Sequence, residues 1–516
     1  MSAASSAMRS LPAGFAEYRW APSTADLAAR VGLAPSQIVR FDGNTAPLPL
    51  PSSRPGAIAG TLAQVNAYPH GGYPELLAAI AAYAGVEPGN VVLGSGGDDL
   101  ILLCARAFLG PGDRAAIVDE PTYPLYRIAT GLAGAEVSAV DPAVTFLCRP
   151  NNPSGALEPL PDTRPLVVDE AYHEYAGETV VDRIGEGVIV IRTFSKAFGL
   201  AGARVGYAIA DADAAAELNR RQAPLAVSTL SAALAVAALA SPPDVAPVVE
   251  ERERLAEALR ALGLEPWPSR ANFVFVPLQD PEAVAGSLLR DGVVVRVFPD
   301  GIRISVRDRE DDDLLLGSLA RALDRPSPAA EAPRRRVRHL RATAETRIAV
   351  RLGLDGAGRV RVATGAGIYD HLLEQLAFHG GLDLVLEGVG DLETGIHHTA
   401  EDAAIALGEA LDRVLGDRRG IARYGDAVVP MDDALARASV DLGGRPWCEC
   451  RLEREPGLAG HVLQSLSQAG RLGLHVEATG RDEHHVAEAA FKAVGRALRA
   501  AVRLEGAGIP STKGVV

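Results

Sequence analysis

Residues 187–207 read GVIVIRTFSKAFGLAGARVGY, and their pattern indicates the fold class of the first half of the chain. It opens with an unbroken apolar run, VIVI, which is typical of a strand buried on both faces of a sheet. Similar runs stand upstream in NVVLGSGG, RAAIVDEP and PLVVDEAY, and helical stretches follow them. Short buried strands that alternate with helices predict an α/β domain with a mainly parallel sheet.

A lysine follows the VIVI strand, and lysine is rare in this chain. There are only three, and Lys196 is the only one in the first 491 residues. At the end of a strand, a lysine can enter a pocket and form a Schiff base with an aldehyde cofactor. Thr193 and Ser195 before it, and Arg204 after it, could hold a phosphate group.

Other strand ends carry side chains that would suit the same cofactor. Asp169 ends PLVVDEAY, where a carboxylate can pair with a protonated pyridine nitrogen and keep the ring an electron sink. Tyr172 and Asn152 could donate to a ring oxygen, and Tyr123 could stack on the ring. The glycines of VVLGSGGDDLI lie between a strand and a helix, where backbone amides can hold phosphate.

In this order the motifs resemble a fold-type-I pyridoxal-phosphate (PLP) aminotransferase, specifically histidinol-phosphate aminotransferase, over about residues 15–325. The resemblance implies a large and a small domain, a homodimer, Lys196 as the Schiff-base lysine and Asp169 as the pyridinium partner. Further cofactor contacts implied by it are Gly96, Gly97, Tyr123, Asn152, Tyr172, Thr193, Ser195, Arg204 and Tyr68, the last reaching a neighbouring subunit's cofactor. Arg296 and Arg303 become the substrate-anchoring arginines, since a planar guanidinium suits carboxylate or phosphate.

Three stretches depart from that family's pattern, namely GNTAP, AYPH and SVRDRED. These departures do not affect the residues needed for PLP chemistry, but they allow a different substrate. A PLP enzyme of other specificity, such as a phospho-amino-acid decarboxylase, would look similar.

The second half contains an internal repeat. HHTAEDAAIALGEAL, from His397, and HHVAEAAFKAVGRAL, from His484, are identical at nine of fifteen positions and lie 87 residues apart. Each copy predicts a helix whose first turn carries two histidines and a glutamate, Glu401 or Glu488, in i, i+3 and i, i+4 relation. Two such triplets predict a metal site, and imidazole with carboxylate suits several divalent transition metals.

This half resembles imidazoleglycerol-phosphate dehydratase over residues 340–516, in segments such as AETRIAV, GIYDHLLEQLAFHGG, HHTAED, DLGGRP and PSTKG. The resemblance implies an α+β domain of two duplicated sheet-plus-helix halves, two Mn²⁺ ions per site, and ligands from different subunits of a 24-subunit shell. Its implied metal ligands are His371, His397, His398, Glu401, His461, His484, His485 and Glu488. Glu345 is implied as the catalytic acid, and the substrate contacts as Glu345, His379, Arg423, Arg445, Ser511, Thr512 and Lys513.

Composition sets the outer limits. A net charge of −14 argues against a nucleic-acid binder, and no apolar run is long enough to predict a membrane span. Four scattered cysteines predict a reducing compartment, the cytoplasm, and Cys448-x-Cys450 is interpreted as strand sequence. The Pro/Ala-rich residues 326–338 are predicted to link an aminotransferase at 1–325 to a dehydratase at 339–516.

The sequence therefore predicts a bifunctional enzyme of histidine biosynthesis. It would dehydrate imidazoleglycerol phosphate to imidazole-acetol phosphate, then transaminate that product with glutamate to histidinol phosphate. Two alternatives stay open: a dehydratase fused to a PLP enzyme of other specificity, or a second half that only assembles the first.

Overall fold

The computed structural model describes residues 15, 21–33, 35–46, 59–62, 65–69, 72–326, 335–356, 358–392, 395–454, 457–506 and 508–510. The chain divides into two compact units, Met1–Ala330 and Glu331–Val516, each with its own hydrophobic core.

Strands of the first unit alternate with helices, as the apolar runs predict. The strands are β1 (Val39–Arg40), β2 (Val91–Gly94), β3 (Arg114–Ile117), β4 (Glu136–Val137), β5 (Val144–Cys148), β6 (Leu166–Asp169), β7 (Val188–Thr193), β8 (Gly206–Ile209), β9 (Phe273–Pro277), β10 (Val293–Val294), β11 (Arg296–Phe298) and β12 (Gly301–Ser305). The helices are α1 (Thr24–Val31), α2 (Ala59–Leu62), α3 (Pro74–Ala84), α4 (Gly97–Phe108), α5 (Leu125–Leu132), α6 (His173–Ala176), α7 (Ala212–Arg221), α8 (Thr229–Leu239), α9 (Ala246–Ala261), α10 (Pro281–Arg290) and α11 (Arg309–Ala322).

Seven of these strands form the main sheet, in the order β2-β8-β7-β6-β5-β3-β4. Only β8 runs antiparallel to its neighbours, so the prediction of a mainly parallel sheet is confirmed. The central strands β5, β6 and β7 are buried along their whole length. Their carboxyl ends therefore open at one edge of the sheet, where polar side chains collect.

A smaller group of strands follows along the chain. Strands β11, β12 and β9 form an antiparallel sheet, and β1 pairs in parallel with β10. The register sets Arg296 directly opposite Arg303. These strands share a core with helices α9 and α11, which confirms the predicted small domain.

The second unit is built from two sheets of the same topology. Its strands are β13 (Arg336–Ala342), β14 (Thr346–Gly353), β15 (Val360–Ala363), β16 (Asp383–Gly390), β17 (Tyr424–Met431), β18 (Ala434–Asp441), β19 (Trp447–Leu452) and β20 (Gly473–Thr479), and its helices are α12 (Ile368–His379), α13 (His397–Leu415), α14 (Ala459–Gly470) and α15 (Glu483–Ala501). The sheet orders β13-β14-β16-β15 and β17-β18-β20-β19 repeat one pattern, so the predicted duplication is confirmed. Cys448 and Cys450 lie in strand β19, as interpreted.

The helices of one half pack against those of the other. Helix α13 packs on α14, and α12 packs on α15. Glycine occurs at the twelfth position of both repeat copies because each crossing is close: a Cβ on Gly408 would lie 2.7 Å from the Leu466 carbonyl, and one on Gly495 would clash with that of Leu376. The repeated sequence thus contains the glycine that permits the close helix crossing as well as the candidate metal ligands.

Strand β13 begins at Arg336, inside the segment predicted as a linker. Its residues Arg336–Ala342 pair antiparallel with β14, so the end of the basic run belongs to the sheet and is not hinge. Residues 327–334 of that segment lie outside the described residues. Within the described chain, no helix combines the length and apolar character needed to cross a bilayer.

Candidate functional sites

A cavity of about 390 Å³ opens at the carboxyl ends of β5, β6 and β7. It brings together most of the side chains predicted for a PLP site. Those lining it are Gly97, Tyr123, Asn152, Asp169, Tyr172, Thr193, Ser195, Lys196, Arg204, Arg296 and Arg303.

Lys196 and Asp169 are placed by neighbouring parallel strands. Asp169 is the last residue of β6, and Lys196 follows the end of β7 by three residues. The Lys196 amine lies 5.6 Å from the centre of the Tyr172 ring. Burial lowers the pKa of Lys196 to about 8, and the charge of Arg303 acts in the same direction. The amine is therefore far more often neutral than an exposed lysine at neutral pH.

Asp169 is a buried carboxyl with two donors. Burial raises its pKa to about 6, while hydrogen bonds from the Tyr126 hydroxyl (2.7 Å) and the Ala171 amide (3.1 Å) act against that rise. These donors favour the ionised form, which could hold a protonated ring nitrogen. Sequence reasoning missed Tyr126, although it lies only three residues beyond Tyr123 in EPTYPLY, in the first turn of helix α5.

The opposite end of the cavity suits a phosphate. Gly96, with φ at 88°, precedes helix α4, so free amides of the helix start face this end. This positive φ favours glycine, and a Cβ at Gly96 would also lie 2.7 Å from Arg204 Nη2 and displace that side chain. Thr193 donates to the Ser195 hydroxyl at 2.9 Å. Asp98, not predicted, accepts from Arg204 (3.2 Å) and from the Tyr123 hydroxyl (3.0 Å).

Two arginines lie at the substrate end. Arg303 donates to Asn152 at 2.5 Å and to the carbonyl of Asp42 at 2.7 Å, and its Nε is buried without a hydrogen bond among the described residues. Asn152 therefore contacts the arginine in this structure. Asn44, from the divergent GNTAP stretch, donates to the Tyr172 hydroxyl at 3.1 Å. Tyr68 is 77% exposed and does not line the cavity.

The second unit brings six of its eight predicted ligands into two clusters. His371, His484 and Glu488 form one, and His397, Glu401 and His461 form the other. Within each cluster the candidate ligand atoms lie within 4.8 Å of one another.

Each cluster joins the two halves of the unit. His484 Nε2 lies 3.1 Å from Glu488 on helix α15, and His371 of α12 lies 3.6 Å from that glutamate. In the other cluster, His461 of α14 lies 3.3 Å from Glu401 of α13. The helix crossings between the halves therefore build both clusters.

His398 and His485 lie outside these clusters, and His398 instead forms a third group of candidate ligand atoms with Glu345 and Asp391. The sequence predicted His398 beside Glu401, but its Nδ1 faces Asp391 at 3.1 Å and Glu345 at 3.5 Å. His485 Nδ1 lies 2.6 Å from Asp433. On each helix, the side chain of the second histidine points away from the glutamate three residues later and toward a loop. The i, i+3 spacing alone does not predict this direction.

The remaining predicted residues surround these clusters unevenly. His379 ends helix α12, two turns and about 12 Å of helix rise beyond His371. Arg423 forms two hydrogen bonds to Asp441 and donates to the Pro510 carbonyl at 2.9 Å. Arg445 is exposed in the β18–β19 loop. Ser511, Thr512 and Lys513 lie outside the described residues.

Lys492, for which the sequence suggested no role, lies 2.8 Å from Glu488. The donor sets fit divalent transition metals, since each cluster offers two imidazoles and one carboxylate. His461 Nε2 supports that fit: it is buried and has no hydrogen bond within the described part of the chain.

Comparison with known proteins agrees with this division. The sequence model of the family aminotransferase class I and II matches residues 40–319, and that of imidazoleglycerol-phosphate dehydratase matches residues 364–498. The imidazoleglycerol-phosphate dehydratase of Frankia casuarinae is 50% identical over 190 aligned residues, covering 34% of this chain and 96% of that protein.

Solved structures resemble the first unit. The histidinol-phosphate aminotransferase from Sinorhizobium meliloti, in complex with pyridoxal-5'-phosphate, is 27% identical with a TM-score of 0.54, covering 59% of this chain and 95% of that one. The L-threonine-O-3-phosphate decarboxylase from Porphyromonas gingivalis is 21% identical with a TM-score of 0.50, covering 56% of this chain and all of that one. The second likeness concerns the fold alone.

Proposed function

Because the chain belongs to the class I and II aminotransferase family through its first unit and to the imidazoleglycerol-phosphate dehydratase family through its second, we propose that it catalyses two consecutive steps of histidine biosynthesis. The second unit dehydrates imidazoleglycerol phosphate to imidazole-acetol phosphate. The first transaminates that product with glutamate, giving histidinol phosphate and 2-oxoglutarate. The observation that carries this proposal is the presence of both donor sets in one chain.

PLP fits the cavity of the first unit. Bound there, it would supply an electron sink for transfer of the amino group. Lys196 would hold the cofactor covalently and then move a proton, a role suited to an amine with a pKa of about 8. Asp169 would hold the ring nitrogen. Gly96, Gly97, Thr193, Ser195 and Arg204 would hold its phosphate, and Asn152, Tyr172 and Tyr123 would contact the ring.

The two arginines fit the anionic group of the substrate. Arg296 and Arg303 face each other across paired strands at the cavity wall. Their combined charge suits a phosphate monoester, which both imidazole-acetol phosphate and histidinol phosphate carry. The exposed Tyr68 is free to reach the cofactor of a second subunit, which supports a dimer through this unit.

Manganese fits the two histidine clusters of the second unit. Bound there, Mn²⁺ would supply Lewis acidity for loss of the hydroxyl group. Glu345, 56% exposed in the β13–β14 turn, would move the proton as the acid. His398 and His485 point away from the clusters of their own chain, which supports ligation shared between subunits and a 24-subunit shell. Arg423, Arg445, His379 and residues 511–513 would contact the substrate.

A reducing compartment, the cytoplasm, fits the small number and scattered positions of the four cysteines. The decisive experiment incubates the full chain with imidazoleglycerol phosphate, glutamate, PLP and Mn²⁺, and follows products by mass spectrometry. Histidinol phosphate and 2-oxoglutarate should appear together. Imidazole-acetol phosphate that accumulates without transamination would assign the first unit another PLP reaction. No dehydration by the loaded chain would leave the second unit an assembly scaffold.

A further inference from the structure

The second histidine of each repeat has a carboxylate partner. His398 Nδ1 lies 3.1 Å from Asp391 Oδ2, and His485 Nδ1 lies 2.6 Å from Asp433 Oδ1. Sequence reasoning assigned neither aspartate a role. Both pairs use the same ring nitrogen, although the two halves of the unit reach that arrangement differently.

The aspartates come from unrelated positions in the two halves. Asp391 is the first residue after strand β16, whereas the residue after the matching strand β20 is Gly480. Asp433 lies in the β17–β18 turn, whereas the matching β13–β14 turn carries Glu345. Duplication accounts for the acidic residue that precedes β14 and β18, since Glu345 also faces His398 Nδ1, at 3.5 Å. It does not account for Asp391, which lies closer to that nitrogen, at 3.1 Å. A shared chemical need of the two histidines for a carboxylate close to Nδ1 explains Asp391.

That need follows from the chemistry of imidazole. An ionised carboxylate only accepts hydrogen bonds, so the Nδ1 facing it must be the protonated nitrogen. The other nitrogen, Nε2, then carries the lone pair with which a neutral histidine binds a metal. His485 Nε2 lies 3.7 Å from Asp432, beyond hydrogen-bond distance. Carboxylates that fix a histidine in this way orient it and raise its basicity.

We propose that Asp391 and Asp433 are positioning residues that fix His398 and His485 with Nε2 directed to a metal ion. The inference rests on the proposed dehydratase function. Asp433 is itself held by the amides of Arg481 (2.6 Å) and Asp482 (3.0 Å) at the start of helix α15, so its histidine is the more firmly fixed. Glu345, 3.5 Å from His398, can partly replace Asp391. Loss of Asp433 should therefore weaken metal binding more than loss of Asp391.

The test measures Mn²⁺ binding to chelator-treated full-length protein, by the electron paramagnetic resonance signal of free Mn²⁺. Asp433→Ala should weaken binding about 10–100-fold at unchanged stoichiometry, and Asp391→Ala by less. Asp433→Asn and Asp391→Asn keep an acceptor oxygen and should recover much of the loss. Glu449→Gln is the matched control, because Glu449 lies 3.6 Å from Nδ1 of His475, which is not a proposed ligand. It should bind Mn²⁺ like the unaltered chain.

Several outcomes would overturn the proposal. Mn²⁺ affinity within twofold of the unaltered chain in both alanine variants would do so. One ion fewer per subunit in Asp391→Ala, with the others bound normally, would make Asp391 itself a ligand with Glu345 and His398. If Asp433→Ala unfolds early without metal, Asp433→Asn decides, and a loss of affinity of about 10-fold or more in that folded variant contradicts positioning. Failure of the proposed function would look different, since the unaltered chain would then neither bind Mn²⁺ nor dehydrate.

Discussion

The two candidate sites of this chain differ in how far one copy encloses them. In the first unit, Asp169 is only 6% exposed and the cavity is walled by strands and helices of the same chain. In the second unit, the side chains of His397 and His484 are 53% and 49% exposed. Two of the eight predicted ligands lie outside both clusters.

This difference separates two ways of making a reactive group. Burial, together with the charge of Arg303 in the case of Lys196, moves the pKa of Lys196 and that of Asp169 toward neutral pH, so the first site gains its chemistry from folding of the chain. The exposed histidines of the second unit depend on a bound ion and, as proposed, on neighbouring subunits. Variants should therefore affect the first site through covalent attachment and burial, and the second through metal and assembly.

The largest effect is expected at Lys196. Lys196→Ala should abolish transamination, because the other lysines of the chain, Lys492 and Lys513, lie in the second unit. Dehydration should be unchanged, which makes the second unit an internal control for folding. Borohydride reduction followed by peptide mass spectrometry should find the cofactor on Lys196 in the unaltered chain. Full transaminase turnover in the variant would disprove the assignment.

Metal removal should produce the converse result. Exhaustive chelation should abolish dehydration and reduce the particle size, because metal that binds only the assembled state stabilises it by mass action. Mn²⁺ should restore both, and transamination should persist throughout. His398→Ala and His485→Ala should behave like chelation, whereas His475→Ala, on strand β20, should not. Light scattering and metal analysis measure these effects, and a particle unchanged after verified metal loss would contradict them.

Burial in the first unit should also show as stability. Glu170 and Arg192 form an ion pair with side chains 0% and 4% exposed, directly behind Asp169 and Thr193. Glu170→Ala leaves the buried arginine without its carboxylate partner and should destabilise the unit by about 3–5 kcal/mol. Loss of the absorbance of bound PLP on heating measures the unfolding transition. Glu186→Ala breaks the exposed ion pair with Arg183 and should leave the transition temperature unchanged. Equal effects of the two variants would refute the role given to burial.

Local patterns made the strand ends predictable. The apolar runs before Asp169 and Lys196 set both the parallel strands and the edge at which they meet. The i, i+4 spacing of His397 and Glu401 likewise placed two ligand atoms 3.7 Å apart. Such relations span a few residues, and geometry fixes them wherever the element forms.

Contacts between distant elements could not be predicted in this way. Tyr126 reaches Asp169, Asn44 reaches Tyr172 and Asp433 reaches His485 only because separate elements pack together. The exception is the glycine at the same position in both repeat copies, Gly408 and Gly495. It lies at the helix crossings that bring both histidine clusters together.

The smallest expected effect tests the electrostatics of the enclosed site. Ionised Asp169 should be the form that holds the cofactor ring, and its pKa is about 6. In apoenzyme, PLP affinity should therefore fall as the pH drops through that value. Burial raises this pKa, whereas the hydrogen bond from Tyr126 lowers it. Removing the hydroxyl must then move the midpoint upward.

Tyr126→Phe is the variant that removes it while keeping the buried ring, which stacks on Phe146. A hydrogen bond to a charged group contributes about 1.5–3 kcal/mol, and about 1.4 kcal/mol corresponds to one pKa unit. The midpoint of PLP affinity should rise by about one pH unit, measured by equilibrium titration of apoenzyme. Tyr123→Phe is the control, because its hydroxyl bonds to Asp98 and its loss should leave the midpoint in place. A midpoint that stays or falls in Tyr126→Phe would mean that Asp169 does not hold the cofactor through its ionised form. The contrast between an enclosed and an open site would then rest on shape alone.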